Sequence, residues 1–115
     1  MRFYKPDSQS HQFYCGVDLH ARSMYLCILD NAGNVLLHRD FPAHAGAFLD
    51  AVAPFRNGLV VAVECMFAWY WLADLCQEHD IAFVLGHALY MKAIHQGKSK
   101  NDRLDAAKIA GLLKG

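Results

Sequence analysis

The sequence predicts an α/β domain built on a mixed five-stranded sheet with helices on both faces. Three observations carry this expectation. Three apolar runs within residues 13–41 are joined by short polar turns, the pattern of an antiparallel meander. Two later runs, residues 59–63 and 81–85, are continuously apolar, as in strands covered on both faces of a parallel sheet. Helix-periodic segments separate and follow these runs, so the order reads β-β-β-α-β-α-β-α.

Each element has its own signal. Residues 1–12 are polar and are expected to form a flexible extension, with the domain running from 13 to 115. Residues 14–19, Tyr-Cys-Gly-Val-Asp-Leu, read as a strand with an acid near its end, and residues 24–29 as a second strand. Asp30-Asn31-Ala32-Gly33-Asn34 is a turn in which Gly33 can take positive φ. Residues 35–41 form the third strand, which Pro42 closes. Residues 45–53 read as a short helix with Phe48, Leu49 and Val52 on its apolar side, ended by Pro54. Asn57-Gly58 is a turn into the strand 59–63, and Glu64 sits directly at the carboxyl end of that strand. Residues 67–78 read as a helix whose core side is Phe67, Trp71 and Leu75, and residues 81–85 as the fifth strand. A connection over 86–100 ends in Gln96-Gly97-Lys98-Ser99-Lys100. The final helix is expected from Asp102 to about Leu113, with Asn101 as its N-cap.

Bulk properties narrow the class of protein. A chain of 115 residues that is 55% hydrophobic suits one domain with a real core. Net charge is zero, yet residues 92–115 carry six Lys/Arg against two Asp, so the remainder is correspondingly acidic. That asymmetry fits a face made for polyanions and equally fits a solvated basic tail. Cys15, Cys27, Cys65 and Cys76 show no C-x-x-C spacing and read as buried, reduced thiols of a cytosolic protein. The seven histidines make no zinc-binding pattern, and the pair Cys76 and His79 is too little for one. No apolar run approaches a membrane span, and no signal peptide is visible.

The element order is that of an RNase H-like fold, for which the strand order 3-2-1-4-5 is expected. Strands 1 and 4 are then parallel neighbours, and ligands in such sheets sit beyond the carboxyl ends of the strands. Asp18 and Glu64, distant in sequence, would meet there. Asp102 and Asp105 are three apart, which on a helix places both carboxylates on one face. Clustered carboxylates repel one another, and hard divalent cations with oxygen ligands relieve that cost. Two ions ~4 Å apart can activate an attacking oxygen and stabilise the leaving oxygen of a phosphodiester. Asp18 would bridge both ions, Glu64 would complete one site, and Asp102 and Asp105 the other.

Three blocks carry a family resemblance: Cys15-Gly16-Val17-Asp18-Leu19-His20, Val61-Ala62-Val63-Glu64-Cys65, and the run from Lys98 through Asp102-Arg103-Leu104-Asp105-Ala106-Ala107-Lys108 to Ala110. Together they resemble the N-terminal domain of the DEDD transposases, bacterial insertion-sequence recombinases related to the pilin-gene invertase. The last block, with its D-x-x-D-A-x-x-I/L-A pattern, is the most specific. The resemblance implies a RuvC-like fold and a catalytic, metal-binding tetrad at Asp18, Glu64, Asp102 and Asp105. It also implies two Mg²⁺ (or Mn²⁺) ions, DNA strand exchange in the bacterial cytoplasm, and a structured guide RNA in the members that use one. Members look like two-domain proteins whose second domain bears a nucleophilic serine. This sequence stops at Gly115 without it, so recombination by these residues alone is expected to be incomplete.

Other features have plainer readings beside the functional ones. Lys98, Lys100 and Arg103 would hold backbone phosphates near the metals, or simply balance the acidic pocket. Trp69 and Tyr70 point away from the helix core and suit contact with the absent domain or a sister subunit of a homo-oligomer. His20 is a loop histidine within reach of a phosphate, and Gly16 would allow close backbone approach in strand 1. Two functions from different classes follow: a metal-dependent transposase catalytic domain, or a non-catalytic nucleic-acid-binding and dimerisation module. An ATPase half of the same fold superfamily is disfavoured, because His20-Ala21-Arg22 lacks the small and hydroxyl residues that cradle phosphates.

Overall fold

The computed structural model describes residues 11–64, 70–85 and 105–115. Among these, five strands form one sheet in the order β3-β2-β1-β4-β5: β1 (Phe13–Leu19), β2 (Ser23–Asp30), β3 (Val35–Pro42), β4 (Leu59–Glu64) and β5 (Ala82–Leu85). β1, β2 and β3 pair antiparallel, while β1–β4 and β4–β5 are parallel. This is the expected mixed sheet and strand order.

Alternation along the strands divides the sheet into two faces. Cys15, Val17 and Leu19 of β1 join Met24, Leu26 and Ile28 of β2 and Val61 and Val63 of β4 in the larger core. Helix α1 (Ala45–Val52) adds Phe48 and Val52, and α2 (Tyr70–Glu78) adds Leu72, Ala73, Leu75 and Cys76. The opposite face is covered by α3 (Ala106–Lys114), through Ile109 and Leu113 on Val60, Ala62 and Val84, and through Ala106 and Ala110 on Cys27 and Leu29. β4 is buried on both faces, which explains its continuously apolar run over residues 59–63. β3 is an edge strand, largely exposed.

Local chemistry sets the boundaries. Gly33 and Gly58 take positive φ, 87° and 84°, in the turns before β3 and β4. The imidazole of His44 caps α1, its Nδ1 accepting from Ala47 N at 3.2 Å. Pro54 sits in a 3-10 turn, Ala53–Phe55, that ends α1. Asp80 adopts a left-handed φ of 57° after α2, and Ile81 N donates to Cys76 O across that reversal.

Some boundaries differ from expectation. Pro42 is the last residue of β3 rather than the residue beyond it, which an edge strand tolerates. Ile81 is buried but precedes β5, because its N–H closes the α2 reversal instead of joining the sheet. Phe67 and Trp69 lie outside the described residues; within α2 the core side is Leu72, Leu75 and Cys76, with Trp71 half-buried beside it. The last helix begins at Ala106 rather than Asp102. Asp105 is extended (φ −86°, ψ 176°) and is itself the N-cap. Asn101, expected as that cap, lies outside the described residues.

A carboxylate cleft at the carboxyl ends of β1 and β4

Small residues bring α3 onto the sheet. Cys27, Gly16 and Ala62 are register partners across β2, β1 and β4, on the face that α3 covers. A side chain at Gly16 would collide with Ala106 O, and its Cβ would stand 2.6 Å from Ala110 N and 2.9 Å from Ile109 Cβ. Gly16 therefore fixes how closely α3 approaches β1. The close contact is at Ala106, next to Asp105.

Two residues further along the same face, the small row gives way to a polar one. Asp40, Tyr25, Asp18 and Glu64 are successive register partners across β3, β2, β1 and β4. Asp18 and Glu64 lie side by side at the carboxyl ends of parallel strands, as expected. Asp18 is 17% exposed, and its Oδ1 is 3.3 Å from Nε2 of His20, which the tight turn His20 N to Ser23 O carries back over it. Asp105 faces this region from the start of α3, its Oδ1 accepting from Lys108 N at 2.8 Å. Asp18, His20, Tyr25, His38, Asp40 and Asp105 line one cleft of about 510 Å³.

The four expected acids are thus placed unequally. The strands bring Asp18 and Glu64 together, and Asp105 shares the cleft with Asp18. Asp105 is extended and caps α3 from outside it, so it is not the residue within the final helix that was expected. Asp102, Lys98, Lys100 and Arg103 lie outside the described residues. Asp40 and Tyr25 were not expected here. Their signal was the alternation of β3 against β2, which puts Asp40 and His38 on the face of Asp18.

The cleft gathers the carboxylates of Asp18, Asp40 and Asp105, oxygen donors suited to a hard cation such as Mg²⁺, alongside the imidazoles of His20 and His38. Among the described residues, however, no three Asp, Glu, His or Cys side chains converge closely enough to hold a metal ion. The described thiols, Cys15, Cys27 and Cys76, are buried and held in the neutral form. Burial pushes Cys76 up to about 12 and Cys15 well above its ordinary value. Cys27, beneath α3, is raised by burial and further by the negative charge of Asp105.

A mixed 3-2-1-4-5 sheet with acids at the carboxyl ends of its two central parallel strands is the RNase H-like class of α/β domain. The family model for DEDD transposases of the IS110 type, described as Transposase, matches residues 15–115. The chain belongs to that transposase family. Among solved structures it is similar to a Bacteroides thetaiotaomicron protein with an actin-like ATPase fold and unknown function. The TM-score is 0.55 at 10% identity, covering 76% of this chain and 38% of that one, and the likeness is one of fold. No curated protein matches. Among the described residues no helix is long and apolar enough to cross a membrane.

Proposed function

We propose that this chain supplies the carboxylate centre of a DNA recombinase, for metal-dependent phosphodiester cleavage and strand transfer during transposition in the bacterial cytoplasm. The observation that supports this most is the register pairing of Asp18 with Glu64, with Asp105 in the same cleft. Asp18 and Glu64 would hold a divalent ion between neighbouring strand ends, and Asp102 and Asp105 would complete a second position. When bound, two Mg²⁺ or Mn²⁺ ions would activate the attacking oxygen and stabilise the leaving one. The sheet holds Asp18 and Glu64 in place before substrate arrives, which limits the reorganisation that catalysis requires. Lys98, Lys100 and Arg103 would hold the DNA backbone, and a serine from a further domain would complete the reaction. A crystal soaked in Mn²⁺ tests the centre. Two anomalous peaks among Asp18, Glu64, Asp102 and Asp105 are expected; peaks elsewhere would sink the assignment.

One observation favours a second reading: residues 92–115 carry six Lys/Arg against two Asp, a local excess of positive charge suited to a polyanion. In that reading the domain is a nucleic-acid-binding and dimerisation module, docking DNA or a structured guide RNA while chemistry resides elsewhere. Its binding would be salt-sensitive. It would survive Asp18→Asn and fall when Lys98 and Lys100 are neutralised. Binding that ignores both salt and those lysines removes this reading.

A further inference from the structure

The cleft continues past the acids into a part that the metal proposal does not use. Tyr25 lies between Asp18 and Asp40 in the cross-strand row and is 37% exposed. Its ring meets that of His38 edge to face, with centroids 5.0 Å apart at 84°, and its hydroxyl donates to His38 O at 3.5 Å. The ring is therefore held by its neighbour while remaining accessible. Tyr25, His38 and Asp40 line the same open cleft of about 510 Å³ as Asp18 and Asp105.

The chemistry of this half selects its occupant. Carboxylates at Asp18, Asp40 and Asp105 repel a phosphate, so the uncharged part of a nucleotide suits it better. A fixed, accessible aromatic ring offers a stacking surface to any base. A carboxylate beside the ring accepts hydrogen bonds from an exocyclic amine, as Asp and Glu do from cytosine N4. Thymine has no such amine.

We propose that Tyr25, His38 and Asp40 form a nucleobase subsite that seats an unpaired, amine-bearing base of a DNA strand next to the Asp18 carboxylate. This rests on the recombinase reading of the cleft and adds to it a specificity element on β2 and β3. Stacking on Tyr25 provides the affinity, and Asp40 provides the preference for cytosine over thymine.

Anisotropy of labelled dC12 and dT12 single strands with the full chain, at pH 8 in EDTA, tests the subsite without any metal. Wild type is expected to bind dC12 more tightly than dT12. Tyr25→Ala should weaken both on the order of 5- to 100-fold, while Tyr25→Phe keeps the ring and the affinity. Asp40→Ala should erase the preference for dC12 and leave dT12 binding no weaker. Equal affinity for the two strands in wild type, or unchanged affinity in Tyr25→Ala, overturns the proposal. Tyr25 and Asp40 are both exposed, and the melting temperatures of the three variants report whether the fold is intact. Failure of the metal centre would appear instead as missing Mn²⁺ peaks, with these metal-free affinities unaltered.

Discussion

Asp18 and Glu64 are register partners on parallel strands, so the same pairing that builds the centre of the sheet sets two carboxylates beside each other. Two carboxylates on adjacent strand ends would draw a divalent cation between them. Glu64→Gln should therefore remove the protein's response to metal. For wild type, Mg²⁺ at about 100 times its dissociation constant should add about 2.7 kcal/mol, a rise of roughly 10 °C in melting temperature. Glu64→Gln and Asp18→Asn should each show close to none. Thermal melts with and without Mg²⁺ measure this, and a wild type indifferent to the ion removes the premise.

Asp105 has two separable tasks, and two substitutions separate them. Its carboxylate caps α3 through Lys108 N, and its charge faces the cleft. Asp105→Ala loses both and should cost roughly 1 kcal/mol of stability. Asp105→Asn retains the cap, since Asn is an equally good N-cap, and should keep stability within a few tenths of a kcal/mol. Any contribution of the charge to metal-induced stabilisation disappears in both. Urea midpoints give the first effect and metal-dependent melts the second.

The sheet and the pairing of Asp18 with Glu64 were legible in the sequence because both follow from hydrophobic periodicity. Three turn-linked runs and two continuously apolar runs admit few topologies, and strand-end acids inherit their positions from the topology. Less legible was the start of α3. The run Asn101 to Asp105 offers three cap-capable residues, Asn101, Asp102 and Asp105, and local preference does not choose between them. In the structure Asp105 is the cap, where Ala106 packs on the sheet beside Gly16. The Tyr25–Asp40 half of the cleft depends on the register of β3, an edge strand whose side chains are mostly exposed. Its apolar pattern is correspondingly weak.

Gly16 is the position where a single methyl group should do most harm to the cleft. Its Cβ would meet backbone atoms of α3, which have no rotamer to change. Gly16→Ala must therefore push the helix away from β1, an overpacking cost of typically 1–3 kcal/mol. The displacement is centred on Ala106 and Ala110, so amide exchange at Lys108 and Ile109 should speed up more than exchange in β4. A uniform change across the domain, with α3 no more affected than the sheet, would argue against a local role for Gly16. By contrast Gly111→Ala, with nothing within 4 Å of the added atom, should be neutral or slightly stabilising.

The buried thiols make stability depend on alkaline pH, with a sign that follows from where each form of the group is favoured. In the folded chain Cys76 is pushed up to about 12 and Cys15 well above its ordinary value of 9.0, both chiefly by burial. In the unfolded chain both would ionise near their ordinary value. Above that value the unfolded state releases protons that the folded state retains, so stability falls as pH rises. The contribution is fully present below about pH 9 and declines up to the folded value, with a limiting slope near 1.4 kcal/mol per pH unit for each such thiol. Urea unfolding at pH 8, 9 and 10 should show this decline, and Cys76→Val should make it shallower while shifting the pH 8 midpoint by an independent packing cost. Alkylation of Cys15 and Cys76 at pH 8 should likewise proceed at the rate of chain opening rather than that of an exposed thiol. Rapid native-state labelling of either residue would contradict its burial.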